Sequence, residues 1–311
     1  MKHIENIAVI DIGSNTLRLL IGNLKENKIN KLYSDRVVTR LGKNIVKNGL
    51  LSAESSKKSI NTLKKFKKIS EKFNVSCIIA IGTSALREAK NSKDFCETIK
   101  KLMGINIHII SGKEEAYYTL CGVMDEKFNK EDSIFLLDIG GGSTEWVYCK
   151  KQSVNSGSLF LGALKIKEKF LNIEPYSHKS ISKAEEFIKK EIEKFLPKIK
   201  SDKFIAIGGT ASTLGMINMG LSNYCPEKTH MSEIDTDKIK EILKKLLSIS
   251  LEERKKIKGI PSDRADIICS GLLILRQIIE YLNIDKVIIS ENGILEGIMK
   301  KYKNFCYNDL L

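Results

Sequence analysis

One short motif occurs twice in the chain, about a domain's length apart. Val9-Ile-Asp11-Ile-Gly13-Ser14-Asn15-Thr16 recurs as Leu137-Asp138-Ile-Gly140-Gly141-Gly142-Ser143-Thr144. In both copies an apolar strand ends in Asp-Ile-Gly, turns through small polar residues and runs into a second strand, Leu17–Leu24 or Trp146–Lys150. The repeat is far longer than a solenoid period, so the pattern predicts a duplicated domain. A length of 311 residues accommodates two.

The remaining segments fit two α/β halves. In the first, Lys28–Ser34 reads as a strand, and Val75–Ile81 and Ile105–Ile110 as buried strands. Ala53–Phe73 and Ser92–Met103 read as helices, the first with Ile60, Leu63, Phe66 and Ile69 in one stripe and the second capped by Ser92. In the second half, Ser182–Leu196 and Thr236–Leu247 read as amphipathic helices. Ser182 and Glu185 have the spacing of a capping box, and Pro197 ends that helix. Phe204–Ile207 and Val287–Ile289 read as strands. Alternating strands and helices predict α/β layers with mostly parallel crossovers. The boundary is expected in the polar stretch Glu126–Asp132. This gives domains 1–126 and 127–311, with the last helix, about 293–303, able to pack back on the first. Ala265–Leu282 is apolar enough for a core or an interface helix.

Composition narrows the setting. No apolar run approaches the roughly 18 residues of a membrane span, and the N-terminus lacks a signal-peptide pattern. Seven scattered cysteines without a Cys-x-x-Cys pair argue against a disulfide framework or a zinc site, and favour a reducing, cytoplasmic setting. The four histidines show no metal-ligand spacing, and His108 reads as packing in an apolar strand. Lys+Arg 52 against Asp+Glu 38 leaves a net charge of +14. Such a balance fits either solvated helix faces or a polyanionic partner. One Trp and few aromatics among the lysines give little support for stacking on single-stranded nucleic acid.

Three strand ends carry small, glycine-rich loops: Gly13-Ser14-Asn15-Thr16, Gly140-Gly141-Gly142-Ser143-Thr144 and Gly208-Gly209-Thr210. Glycine lets the backbone approach a ligand, so successive N–H groups can converge on phosphate oxygens. Any one loop is also an ordinary turn, but their recurrence favours phosphate. None has the Gly-Lys-Ser/Thr ending of a P-loop. Asp11 and Asp138 precede two of the loops, and Glu145 follows the second. Carboxylates beside phosphates suit Mg²⁺, and for Asp11 a turn-bonding role is an equal alternative. In Ile110-Ser111-Gly112-Lys113-Glu114-Glu115-Ala116, Ser111 and Glu114 form a capping box. The cap leaves Glu115 unexplained, as a solvated side chain or as a general base. Arg87, in Gly82-Thr-Ser-Ala-Leu-Arg87, is either a phosphate-facing fork or a surface arginine.

Together these segments resemble the exopolyphosphatase/guanosine pentaphosphate phosphatase (Ppx/GppA) family. The carriers are Asp11–Thr16, Gly82–Arg87, Ile110–Ala116, Asp138–Glu145, Gly208–Thr210, His230 and Pro261-Ser-Asp-Arg264-Ala-Asp266, collinear from about residue 5 to residue 300. The resemblance implies the actin/Hsp70/sugar-kinase fold, with duplicated ribonuclease H-like α/β domains around a central cleft. It implies Mg²⁺-assisted removal of the terminal phosphate from inorganic polyphosphate or, alternatively, from guanosine pentaphosphate (pppGpp). It also implies Glu115 as the catalytic glutamate, Asp138 and Glu145 (with Asp11) as metal ligands, and Arg87 and the three loops as the phosphate site. The chain departs from the family in Ser290-Glu291-Asn292-Gly293-Ile-Leu295-Glu-Gly297, where Leu295 replaces a frequent arginine, and it resembles the short family form. A non-catalytic alarmone sensor and an ATP-dependent kinase or ATPase of the same fold are the other readings. No specific nucleic acid or membrane partner is expected, and a homodimer stays open.

Overall fold

The computed structural model describes residues 5–26, 28–124, 132–151, 153–302 and 305. The chain divides into two compact units, Met1–Met124 with Gly293–Leu311, and Asp125–Asn292. Most of the polar boundary predicted at 126–132 lies outside the described residues.

The first unit runs β1 (Ile7–Ile12), β2 (Thr16–Lys25), β3 (Lys28–Val38), α1 (Ile45–Asn48), α2 (Ala53–Lys72), β4 (Cys77–Gly82), α3 (Ser84–Glu88), α4 (Ser92–Met103), β5 (Ile107–Ile109) and α5 (Gly112–Val123). The second runs β6 (Ile134–Ile139), β7 (Thr144–Lys150), β8 (Ser153–Leu159), α6 (Ala163–Phe170), α7 (His178–Phe195), β9 (Lys203–Ile207), α8 (Gly208–Asn218), α9 (Pro226–Thr229), β10 (Glu233–Asp235), α10 (Thr236–Ser248), α11 (Leu251–Lys255), α12 (Ile268–Leu282) and β11 (Lys286–Ser290). Helix α13 (Ile294–Lys300) returns to the first unit.

The two sheets repeat one topology. The first has the order β3-β2-β1-β4-β5, and the second β10-β11-β9-β6-β7-β8. In each, three antiparallel strands joined by hairpins continue into parallel strands. This is the duplicated ribonuclease H-like, actin-type α/β fold. The parallel register brings the carboxyl ends Ile12, Gly82 and Ile109 level in the first unit, and Ile207 and Ser290 level in the second. Loops that leave such ends can build a binding site.

Strand β1 is buried along its whole length because both faces are covered. Ala8, Ile10 and Ile12 join one apolar cluster with Leu63, Phe66, Phe95 and Ile99. Ile7 and Val9, on the alternate face, join Ile294, Leu295, Ile298 and Met299 of α13. Leu295, at the position of the frequent family arginine, therefore packs in an apolar layer. In the second unit α12 is core: Leu272, Leu273, Ile274 and Leu275 are fully buried. Arg254 is buried beside it, donating to the Tyr176 hydroxyl and the Cys269 sulfur at 2.9 Å each and pairing with Glu174. Burial pushes the Cys269 thiol up to about 11, although the arginine opposes this, so it stays protonated at neutral pH.

Some local expectations need correction. Helix α7 starts at His178 with Ser177 as its cap, accepting from Ser180 N–H at 3.1 Å. Glu185 is instead paired with Arg276 at 2.7 Å. Helix α4 has Asn91, not Ser92, at its cap position, and the Asn91 amide is engaged with Leu51. Gly208-Gly209-Thr210 opens α8 rather than forming a free turn. Cys77 is disulfide-bonded, so the spacing argument against disulfides fails there. Among the described residues no helix is long and apolar enough to cross a membrane.

Helices α5 and α13 touch backbone to backbone. A Cβ on Gly297 would fall on the Tyr118 carbonyl, and one on Gly122 on the Gly293 carbonyl. Gly297→Ala is expected to destabilise the protein by about 1–3 kcal/mol, the usual cost of overpacking. Urea unfolding checks this, and wild-type stability would mean that the two helices are not in close contact.

Candidate active site

In the first unit the predicted residues gather at the ends of β1, β4 and β5. The hairpin register sets Arg18 directly opposite Asp11. Two N–H groups of Arg18 converge on Asp11 Oδ2, at 2.9 and 2.7 Å, while Asp11 Oδ1 is buried without a hydrogen-bond donor. Thr83, after β4, donates its N–H to the Ile12 carbonyl at 3.3 Å and leads into α3, which carries Arg87. The Arg87 guanidinium donates to the Ile110 carbonyl at 2.9 Å and to Glu115 Oε2 at 2.6 Å. The capping box at the start of α5 is present: Ser111 N–H donates to Glu114 at 2.7 Å and Glu114 N–H to Ser111 Oγ at 3.2 Å. Glu114 is thus used by the helix, and Glu115 is the carboxylate held by Arg87.

In the second unit the equivalent hairpin has different charges. Glu145 stands opposite Asp138, where the first copy has Arg18 opposite Asp11. Directly opposed like charges destabilise a sheet unless a cation intervenes. Glu145 is buried and accepts from Ser158 Oγ at 2.9 Å. Asp138 also lies against Gly208, whose φ of +78° and lack of a side chain admit the carboxylate. The next residue, Gly209, leaves room for the Arg264 guanidinium, and Gly271 of α12 leaves room for Thr210. Asp138, Glu145 and the start of α8 are therefore brought together.

Both glycine hairpin loops are backed by a second glycine that the sequence reading missed. Gly42 N–H donates to the Ser14 carbonyl at 2.8 Å, and Thr39 and Arg40 donate to Asn15 at 3.1 and 2.9 Å. In the second copy, Ala163 N–H donates to Gly140 at 2.9 Å, and Leu164 and Lys165 donate to Gly141 at 2.9 and 3.3 Å. A Cβ on Gly42 would strike Ser14, and one on Gly162 would strike Gly141 and Gly142. A trans peptide directs the next N–H opposite to its carbonyl. With these carbonyls turned to the backing segment, the N–H groups of Asn15, Thr16, Gly141 and Gly142 face the other way, as an anion-binding nest requires. The available signal was a second echo, Leu41-Gly42 and Leu161-Gly162.

The oxygen-only donor set of Asp138 and Glu145 fits a hard cation such as Mg²⁺, which takes one or two carboxylates and completes its shell with water and phosphate. Among the described residues no group of three His, Cys, Asp or Glu side chains forms a protein-only metal cage. Asp11 is paired with Arg18 at 2.7 Å.

A profile of the Ppx/GppA phosphatase family matches residues 20–303. The chain belongs to that family. It is 34% identical over 315 residues to the bifunctional 3-dehydroquinate synthase/phosphatase of Fusobacterium nucleatum, covering 94% of this chain and 47% of that protein. The chain thus spans about half the length of that relative. It is 24% identical to exopolyphosphatase 2 of Mycobacterium tuberculosis, covering 95% of this chain and 98% of that one. The solved structure of the Aquifex aeolicus PPX-GPPA enzyme superposes with a TM-score of 0.81 at 31% identity, over 96% of this chain and all of the other.

For this Ppx/GppA member the backing glycine gives a direct test. Gly162→Ala displaces the Gly140–Thr144 loop, and misplacing a catalytic group by about 1 Å costs on the order of 10²-fold in rate. Phosphate-release kinetics with the parent substrate are expected to show that loss, and unchanged kinetics would disconnect the loop from catalysis.

Proposed function

We propose that the chain is an exopolyphosphatase, releasing orthophosphate from the end of inorganic polyphosphate. The observation that carries this reading is the Glu115–Arg87 pair at 2.6 Å, with Glu114 removed from competition by its cap. Glu115 is the general base: it takes a proton from the attacking water as that oxygen bonds to the terminal phosphorus and the bridging oxygen leaves. Arg87 orients the carboxylate and presents positive charge near it. In the first unit the N–H groups of Gly13–Thr16 are offered to phosphoryl oxygens, and in the second unit those of Gly140–Thr144 and Gly208–Thr210 are. In the second unit Asp138 and Glu145 would hold Mg²⁺, which would neutralise charge on phosphoryl oxygens. Asp11 stands outside the ligand set, since Arg18 already balances it. Positioning and electrostatic stabilisation of this kind carry most of phosphoryl transfer. The naming of relatives as exopolyphosphatases supports polyphosphate as first substrate; pppGpp, ending in the same phosphoanhydride, is the second.

The test is orthophosphate release from long-chain polyphosphate and from pppGpp, with and without Mg²⁺, by the wild type and Glu115→Gln. Mg²⁺-dependent release is expected, faster from polyphosphate, with the variant slower by roughly 10²–10⁴, the usual contribution of a general base. Wild-type turnover by Glu115→Gln removes the assigned base. No release from either substrate, with tight pppGpp binding, replaces the enzyme by a sensor.

A further inference from the structure

Half of the protein's net charge sits in a tenth of its length. Lys43–Lys72 contains nine lysines and two glutamates, a net +7 out of the chain's +14. Helix α2 turns Ser59, Leu63, Phe66 and Ser70 to the core. Its opposite face carries Lys57, Lys64, Lys68 and Lys72, all exposed, in one stripe about 22 Å long at 1.5 Å per residue. Of the lysines on α2, Lys65 is tied to Asp35 at 2.7 Å, and Lys67 lies 3.9 Å from Glu71. The four stripe lysines have no ion pair among the described residues. Glu54, in the first turn, and Glu71 are the helix's own acids.

Two other lysine-rich helices offset more of their charge internally. Helix α7 has five lysines against four glutamates, with Lys190–Glu186 at 2.6 Å and Lys189–Glu193 at 3.9 Å. Helix α10 pairs Lys238 with Glu241 at 2.9 Å and Lys240 with Asp237 at 3.0 Å. In α2 Lys64, Lys68 and Lys72 join two consecutive like-charge i,i+4 pairs, which destabilise a helix; α7 and α10 have such spacings only singly, as in Lys190–Lys194 and Lys240–Lys244. A local rule broken without compensation inside the protein marks a functional surface.

The stripe is connected to the first glycine loop within the same unit. Gly42 backs Ser14, and the exposed Lys43 and Lys47 follow it. Gly49 then accepts from Lys90 N–H at 3.0 Å, with the Lys90 side chain lying along it. Leu51 N–H and carbonyl are both bound by the Asn91 amide, at 2.8 and 3.1 Å. This places the start of α2 beside the segment that follows Arg87.

We propose that this lysine face is a docking track for the polyphosphate chain beyond its reacting end. The inference rests on the exopolyphosphatase reading for the ligand's identity. A linear phosphate polymer presents charge at every unit and no base. Phe66 is fully buried and Phe73 half-buried, so the stripe offers a ligand charge but no stacking platform, which favours polyphosphate over RNA.

The test combines Lys57→Gln, Lys64→Gln, Lys68→Gln and Lys72→Gln, none of them in the assigned machinery. Affinity for fluorescently labelled long-chain polyphosphate, and KM for long-chain polyphosphate and tripolyphosphate, are measured across a salt series, with thermal unfolding as a fold control. Long-chain affinity is expected to fall at least about tenfold at low salt. Its log–log salt slope is expected to flatten by roughly 3, at about 0.7 per lost contact by analogy with single strands. kcat and the tripolyphosphate KM are expected to stay at wild-type values. Unchanged long-chain affinity and slope overturn the track, as does an equal loss with tripolyphosphate. Loss of binding to an RNA oligonucleotide with polyphosphate binding intact assigns the surface to RNA and overturns it as well. Direct binding reads the track even if the wild type releases no phosphate, a result that would overturn only the catalytic reading.

Discussion

Glu115 is only as well placed as the helix it begins, and that helix is held by backbone rather than by side chains. Gly122 and Gly297 remove the side chains that would separate α5 from α13, so carbonyls of each helix abut the other. Contacts this short cannot be adjusted by rotamer changes; sliding one helix requires displacing main chain. Helix α13 is fixed in turn. Ile294, Leu295, Ile298 and Met299 fill the layer under β1 and β4, and Glu296 takes Lys31 at 2.7 Å and Gly293 N–H at 2.8 Å. A segment from the far end of the sequence thereby sets the register of the helix that carries the proposed base.

The duplication supplied two similar hairpins, and one residue separates their chemistry. At the position opposite the strand-end aspartate, the first copy has arginine and the second glutamate. The arginine closes the first copy electrostatically with a short charge-assisted bond. Two carboxylates across from each other do the opposite, since opposed like charges repel unless a cation lies between them. The same backbone hairpin therefore presents an ion pair in one unit and two carboxylates in the other, which is the arrangement the proposed Mg²⁺ site uses.

Much of this was legible in sequence because it is local. The Asp-Ile-Gly echo predicted a duplicated domain, and the capping spacing at Ser111 and Glu114 left Glu115 unexplained, its role as a base being implied only by the family resemblance. Gly42 and Gly162 were missed because a single glycine carries no sign of what it abuts; only the paired Leu-Gly echo hinted at it. Arg18 was missed because its role depends on strand register. The start of α7 was misplaced because Ser177 and Ser182 both offer caps, and in α4, whose range was read correctly, the cap position falls to Asn91, whose side chain is engaged with Leu51. The disulfide at Cys77 depends on spatial approach that cysteine spacing does not encode.

Charge illustrates the limit of composition more sharply. A value of +14 is compatible with lysines spread over every helix, and the lysine pairs in the sequence look alike from one helix to the next. What distinguishes α2 is the placement of acids, visible only when the sequence is folded onto helix faces. Helices α7 and α10 place Lys189, Lys190, Lys238 and Lys240 in i,i+3 and i,i+4 pairs, which bring a few tenths of a kcal/mol each and reduce the field at a distance. Helix α2 leaves its stripe uncancelled, so its field extends over about a Debye length, roughly 8–10 Å at ordinary ionic strength. Excess charge there projects beyond the surface in one continuous stripe, the form the proposed polyanion track requires.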